Sequence, residues 1–163
     1  MFISTLIIAL IVLFDQLSKF FVDLYLKGKE VTVVIPRVIS FQYHENRGAA
    51  WGILSEQRWV FMLISTVAII AILSFLIWTR KEKASFLVRL SLAFFAGGGI
   101  GNMIDRVRLS YVIDFLKFEF IDFPIFNVAD SFITVGAALM IVYLIRETIQ
   151  EHRRKKRDGS TNS

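Results

Sequence analysis

The chain of 163 residues contains no cysteine, two histidines and two prolines. Without cysteine it has no disulfides, thiolate zinc sites or cysteine nucleophiles. With only His44 and His152 and no H-E-x-x-H pattern, the sequence also argues against a zinc hydrolase. Charged residues make up only 20% of the chain and hydrophobic residues 55%, whereas soluble domains are about 25% charged and about 45–50% apolar. No polar stretch is long enough to form a separate soluble catalytic domain.

Four apolar runs dominate the sequence, covering about residues 2–22, 59–78, 86–104 and 124–145. Each is long enough to cross a hydrocarbon layer about 30 Å thick. Backbone groups in such runs must satisfy their hydrogen bonds internally, which predicts an α-helical membrane protein with four transmembrane helices. The first run lacks a basic start and an A-x-A-like cleavage site, so we expect a retained helix and not a signal peptide. Residues 1–150 are predicted to form one integral membrane domain.

Basic residues predict how this bundle is oriented. The link between the second and third runs contains Arg80, Lys81 and Lys83, and residues 151–163 form a basic tail. The positive-inside rule places both segments in the cytoplasm, so the protein is predicted to be multi-pass with both termini cytoplasmic. A basic cluster this close to a span is typical of a topology signal or a contact with anionic lipid. We therefore expect membrane lipid, and not nucleic acid, as a partner.

The exterior segment over about residues 31–55 is predicted to form a small extracytoplasmic β-structure. Ile39, Phe41 and Tyr43 alternate with polar residues, the period expected of a half-buried strand. A second alternation at residues 117–120 predicts another strand. The aromatic face of this β-structure is expected to lie toward lipid or protein.

Polar side chains lie next to two groups of small residues, before the first group and after the second. Asn46 precedes Gly48 and further small residues, a pattern typical of a loop at the membrane edge in which the amide binds a ligand or closes a turn. Near the end of the third run, glycines permit close approach of helices. Asn102, Asp105 and Arg106 follow them at spacings that allow all three to face one interior. They predict either a structural pair or a clamp for a substrate carbonyl.

Further charged residues lie in or just beside the apolar runs, where a charge costs at least about 2.5–3.5 kcal/mol on insertion scales. Asp15 and Lys19 are four residues apart, which predicts an ion pair on one helix face. Asp114 follows the third run, and Asp130 lies one turn after Asn127 in the fourth. Because the chain leaves and re-enters the membrane on the same outer side, both acids are expected near the outer leaflet. Pro124 is predicted to start the fourth helix.

Two carboxyl groups in one low-dielectric site hold a proton between them. The ionised acid then takes a proton from water while the neutral acid polarises a carbonyl, as in aspartic peptidases. This chemistry, which requires no metal or organic cofactor, is one interpretation of Asp114 and Asp130. The residues alone leave three others open: a proton-coupled transporter, a non-catalytic membrane scaffold whose acids form ion pairs, and a serine–lysine peptidase that uses Ser131 and Lys19.

Five short motifs occur in order along the chain. They are Asp-Gln-x-Ser-Lys from residue 15, Asn-x-Gly-Ala-Ala-Trp from 46, Gly-Asn-x-x-Asp-Arg from 101, Val-x-Asp-Phe from 112 and Phe-Asn-x-Ala-Asp-Ser from 126. Together they resemble the bacterial lipoprotein signal peptidases (signal peptidase II) over nearly the whole chain. The sequence departs only slightly from the motifs of this family. Trp51 stands where Phe is common, and three consecutive glycines stand where an alanine often interrupts the glycine run.

The resemblance implies an aspartic endopeptidase of the bacterial plasma (inner) membrane. Such an enzyme removes signal peptides from diacylglyceryl-modified prolipoproteins by cutting before the lipidated cysteine, and it needs no cofactor. The implied catalytic pair is Asp114 and Asp130, and the ion pair of Asp15 and Lys19 would hold the first helix. We expect a monomer that binds lipidated prolipoproteins. The implied substrate-binding or supporting residues are Asn46, Gly48, Asn102, Asp105, Arg106, Asn127 and Ala129.

Overall fold

The computed structural model describes residues 2–48, 58–79 and 85–160. Trp51, the basic link at residues 80–83, the end of the predicted exterior segment and residues 161–163 lie outside these ranges. The described helices are α1 (Phe2–Leu26), α2 (Arg58–Trp78), α3 (Phe86–Arg108) and α4 (Val128–Ser160). The described strands are β1 (Thr32–Ile35), β2 (Ile39–Asn46) and β3 (Val112–Phe118).

Within the described residues, three helices are long and apolar enough to cross a membrane by length and composition: Phe2–Leu26, Phe86–Arg108 and Val128–Arg157. The described part of α2 is apolar over the shorter stretch Met62–Trp78. The predicted helical fold with a small β-structure is confirmed, and the count of four crossings stays a prediction. α4 continues to Ser160, so the described part of the basic tail extends this helix.

α3 is the central helix of the bundle and contacts α1, α2 and α4. Small residues make this possible, because a Cβ atom at Gly98 would lie 2.5 Å from the carbonyl oxygen of Ala129 on α4. A Cβ at Gly97 would lie 2.9 Å from the side chain of Ile11 on α1. The glycines therefore let two neighbouring helices approach the backbone of α3 closely.

The three strands form an antiparallel sheet in the order β1-β2-β3. Its aromatic side chains pack against protein: the rings of Phe41 and Phe115 meet edge to face with centroids 5.8 Å apart. Phe115 is buried together with Ile113 and with Val22 near the end of α1. At these positions the aromatic face lies against protein, and this packing fixes the sheet on the helical bundle.

Two predicted boundaries are wrong. β3 covers Val112–Phe118 and not residues 117–120, because its first four residues are all buried and so show no polar alternation. α4 begins at Val128 and not at Pro124. The backbone of Phe126 is still paired with that of Leu116, with N···O distances of 2.8 and 3.0 Å, so the chain around Pro124 is not helical.

Candidate active site

Asp114 lies within β3, and its side chain is almost fully buried. It accepts hydrogen bonds from Asn46 Nδ2 at 2.8 Å and from Asn127 Nδ2 at 2.7 Å. Burial, and secondly the nearby Asp130, raise the pKa of Asp114 to about 7, although the two amide donors oppose this shift. Asp114 therefore exchanges a proton near neutral pH, where an ordinary aspartate is fully ionised.

Asp130 lies in the first turn of α4, where the helix dipole stabilises negative charge. Its Oδ1 accepts a hydrogen bond from Asn102 Nδ2 at 2.7 Å, and its Oδ2 accepts one from the backbone N–H of Asn127 at 3.2 Å. The backbone N–H of Asp130 in turn donates to Asn127 Oδ1 at 2.9 Å. This reciprocal cap starts α4 at its observed position and fixes the carboxyl group of Asp130 relative to Asn127.

The carboxyl groups of Asp114 and Asp130 line the same cavity, which has a volume of about 560 Å³. Asn46, Gly48 and Arg106 line it as well, so five of the predicted site residues meet there. The Asn46 side chain is held by the backbone N–H of Gly48, which donates to Asn46 Oδ1 at 3.0 Å. Much of the remaining wall is apolar, formed by residues that include Phe118, Phe123, Phe126, Ile133 and Val135. The cavity suits a partly apolar substrate whose polar bond faces two acids.

The other predicted residues lie behind the cavity wall. Lys19 Nζ lies 2.9 Å from Asp15 Oδ2 and 3.0 Å from Asp105 Oδ2, and it donates to Asn102 Oδ1 at 2.9 Å. Ala129 is fully buried against α1, where its backbone N–H donates to Asp15 Oδ1 at 2.9 Å. These residues form a buried polar network that joins α1, α3 and α4.

Gln16 belongs to this network; it stands in the Asp-Gln-x-Ser-Lys motif, but no role was predicted for it from the sequence. Its Nε2 donates to Asp105 Oδ1 at 3.0 Å and to the carbonyl oxygen of Gly101 at 3.1 Å, which ties α1 to α3. The available signal was its position beside Asp15, as an uncharged amide inside an apolar run. A residue of this kind needs a buried partner, which the sequence does not identify.

The serine–lysine alternative is not supported by the geometry. Ser131 Oγ donates to the carbonyl oxygen of Asn127 at 2.9 Å, and Ser18 Oγ donates to that of Asp15 at 2.7 Å. Lys19 is directed at Asp15, Asp105 and Asn102. Within residues 2–48, 58–79 and 85–160, no group of three His, Asp or Glu side chains could hold a metal ion.

Comparison with known proteins identifies the family. Residues 7–146 match the family model for signal peptidase (SPase) II. The chain belongs to the signal peptidase II family. It is 43% identical over 147 residues to the lipoprotein signal peptidases of Streptococcus pyogenes serotype M5 (strain Manfredo) and serotype M18 (strain MGAS8232). The match covers 90% of this chain and 94% of each relative.

Solved structures show the same fold. A bacterial membrane enzyme solved by the in meso method at 2.3 Å resolution has a TM-score of 0.82 and 35% identity, covering 91% of this chain and 90% of that one. A second, solved at 1.9 Å, has a TM-score of 0.77 and 35% identity, covering 88% and 93%. As a signal peptidase II family member with long apolar helices, the chain is a membrane-embedded peptidase.

Proposed function

We propose that this signal peptidase II family member is an aspartic endopeptidase that cleaves signal peptides from diacylglyceryl-modified prolipoproteins, immediately before the lipidated cysteine. The proposal depends on one observation: Asp114 and Asp130 line one cavity, and both are hydrogen-bonded to Asn127. The relatives that are named lipoprotein signal peptidases support the substrate class.

The chemistry follows from two acids that share one proton. The ionised carboxylate takes a proton from a water molecule, which attacks the scissile carbonyl while the protonated acid donates a hydrogen bond to the carbonyl oxygen. Collapse of the tetrahedral intermediate breaks the C–N bond, and the proton taken from water passes to the leaving amine of the cysteine. Asn46, Asn102 and Asn127 hold the carboxyl groups in place during these transfers.

The position of the site also fits a lipidated substrate. Asp114 lies on the sheet and Asp130 at the start of an apolar helix, so the cavity lies at one end of the bundle. With both termini in the cytoplasm, this end faces the outer leaflet of the bacterial plasma membrane. A substrate anchored there by acyl chains reaches the cavity by lateral diffusion, and its apolar signal helix passes along α3 and α4. No cofactor is required, and we expect a monomer.

Cleavage of a purified diacylglyceryl-modified prolipoprotein tests the proposal directly. We expect release of the signal peptide before the modified cysteine and no cleavage of the matched unlipidated precursor at equal concentration. Mass spectrometry of the products locates the cut, and activity should persist in the presence of a chelator. Equal cleavage of both precursors, or a cut elsewhere, would contradict the proposed specificity.

The pH dependence of cleavage should follow the titration of the acid pair. Activity requires the singly protonated pair, and burial raises the pKa of Asp114 to about 7. As the pH rises through this value the acid pair loses its one remaining proton. We therefore expect a bell-shaped profile in which kcat/KM falls above about pH 7. Initial rates measured over about pH 4 to 10 check this expectation. A profile that rises through pH 7 to a plateau would show that the proton on Asp114 is not needed.

A further inference from the structure

Lys19 contacts more than its two acidic partners. Its Nζ also donates to Asn102 Oδ1 at 2.9 Å, so an ammonium with three N–H groups has three acceptors, the others being Asp15 and Asp105. The side chain of Lys19 is 2% exposed, so water does not replace these partners. A charged group buried in this way is stable only while every partner is kept.

The third contact determines which way the amide of Asn102 points. A lysine ammonium only donates hydrogen bonds, so the oxygen of the Asn102 amide must face it. The Nδ2 group of Asn102 then has to point the other way, and it donates to Asp130 Oδ1 at 2.7 Å. Lys19 thus fixes the direction of a hydrogen bond to a carboxyl group that it does not touch.

The orientation is passed on to Asn127. The oxygen of Asn102 also accepts a hydrogen bond from Asn127 Nδ2 at 3.0 Å, and the same Nδ2 donates to Asp114 Oδ1 at 2.7 Å. If the Asn102 amide turned over, two NH₂ groups would face each other and its oxygen would face the carboxyl group of Asp130. Both acids would lose part of the hydrogen bonding that holds them.

We propose that Lys19 is a positioning residue for the cleavage reaction, because its ammonium group sets the amide orientations through which Asn102 and Asn127 hold Asp130 and Asp114. This role rests on the proposed function. It goes beyond the predicted structural ion pair on α1, which would need only Asp15. The charged groups around Lys19 are Asp15 on α1 and Asp105 on α3, with Asp130 and Asp114 reached through the amides.

Two variants separate positioning from stability. Lys19→Met leaves Asp15 and Asp105 as unbalanced buried acids and is expected to lower the thermal stability. Lys19→Met combined with Asp15→Asn restores the balance: two carboxylates and one ammonium become one carboxylate, so the formal net charge of the cluster stays at one negative. Asn at position 15 keeps an oxygen that can accept the backbone N–H of Ala129. Lys29→Met, an exposed lysine beyond the end of α1, is the control.

For the double variant we expect folding, a kcat about 10- to 100-fold below that of the unmodified enzyme on the lipidated precursor, and little change in KM. The pH profile provides a second readout. Burial is the main influence on the pKa of Asp114 and raises it, whereas the positive charge of Lys19 lowers it. Loss of Lys19 should therefore move the high-pH limb of the profile to higher pH.

A double variant with unchanged kcat and unchanged pH profile, or one that does not fold, would overturn the positioning role and leave Lys19 as a stability residue. Neither outcome affects the proposed function, which instead fails if Asp114→Asn cleaves the precursor at the normal rate. Lys29→Met should match the unmodified enzyme in every measurement.

Discussion

Replacing Asp114 with asparagine is expected to reduce kcat for cleavage of the lipidated precursor by at least about 10³-fold, because an amide neither takes a proton from water nor donates an acidic one. The substitution preserves the size of the side chain but removes its ability to ionise and turns one of its two acceptor oxygens into an NH₂ group, so one of the hydrogen bonds from Asn46 and Asn127 is lost. Asp130→Asn should have an effect of the same order, since in the proposed mechanism the two acids share one proton. Turnover by the purified variants, measured over hours, checks both values.

Folding should survive the Asp114 substitution. Asp114 is buried with a pKa raised to about 7, so in the range between about pH 4 and about pH 7 the folded protein holds a proton that the unfolded chain has lost. Ionisation of this buried acid thus opposes folding as the pH rises, and a neutral asparagine avoids that cost. At pH 8 this gain is set against the loss of one hydrogen bond from Asn46 or Asn127. The melting temperature of Asp114→Asn should therefore stay close to that of the unmodified enzyme.

Asp23→Asn is the matched control for this experiment. Asp23 is an acid of α1 that lies at the surface, with its side chain 47% exposed, and it pairs with Lys27 at 3.2 Å. We expect normal cleavage from this variant. A stable Asp114→Asn variant with normal kcat would refute the acid pair, and loss of activity in Asp23→Asn would show that the effect of removing a carboxylate is not specific to the cavity.

Gly98→Ala is expected to be the most disruptive single methyl addition on α3. The new Cβ would lie 2.5 Å from the backbone carbonyl oxygen of Ala129 and 2.7 Å from the side chain of Ile133, so α3 and α4 must move apart. Overpacking of this kind typically costs about 1–3 kcal/mol. Asn102 and Asp130 lie on the two separated helices, so we also expect kcat to fall by about 10²-fold.

Gly99→Ala tests whether that loss is specific to the α3–α4 contact. Its Cβ would meet only the side chain of Ile69 on α2, at 3.3 Å, and a side chain can move more easily than a backbone carbonyl. Alanine also favours the helical conformation by up to about 1 kcal/mol. Thermal unfolding in detergent should show a large decrease for Gly98→Ala and little or none for Gly99→Ala; similar values for both would contradict the close-approach argument.

The helical bundle could be predicted from the sequence because an apolar run of about 20 residues by itself indicates a helix long enough to cross a membrane. Prediction failed where structure depends on a distant partner. The alternation that predicts a strand is missing from Val112 to Phe115, because these residues are buried on both faces of the sheet. Pro124 is a good helix-starting residue, yet pairing of Phe126 with Leu116 delays the helix to Val128.

The site shows the same difference between features set by the local sequence and features that depend on a distant partner. The residue types were sufficient to identify Asp114 and Asp130 as costly acids and to pair Asp15 with Lys19 by their spacing. They could not show that Lys19 also reaches Asn102, since these residues are 83 positions apart in the chain. Nor could they distinguish Arg106, which lines the cavity, from its neighbour Asp105, which lies behind the wall beside Lys19.

The pairing between Phe126 and β3 has a consequence for the chain that links the two acids. The backbone N–H groups of Phe115 and Leu116 both donate to the carbonyl oxygen of Phe126, at 2.9 and 2.8 Å. The loop is therefore closed at its base, directly after Asp114 in β3 and two residues before α4 begins at Val128. Beyond that closure, Phe120 and Ile121 project outward with about half of their side chains uncovered. The spacing of the two acids is therefore independent of the length of the tip. The tip could therefore change in length or in sequence to suit a different precursor while the positions of Asp114 and Asp130 stay the same.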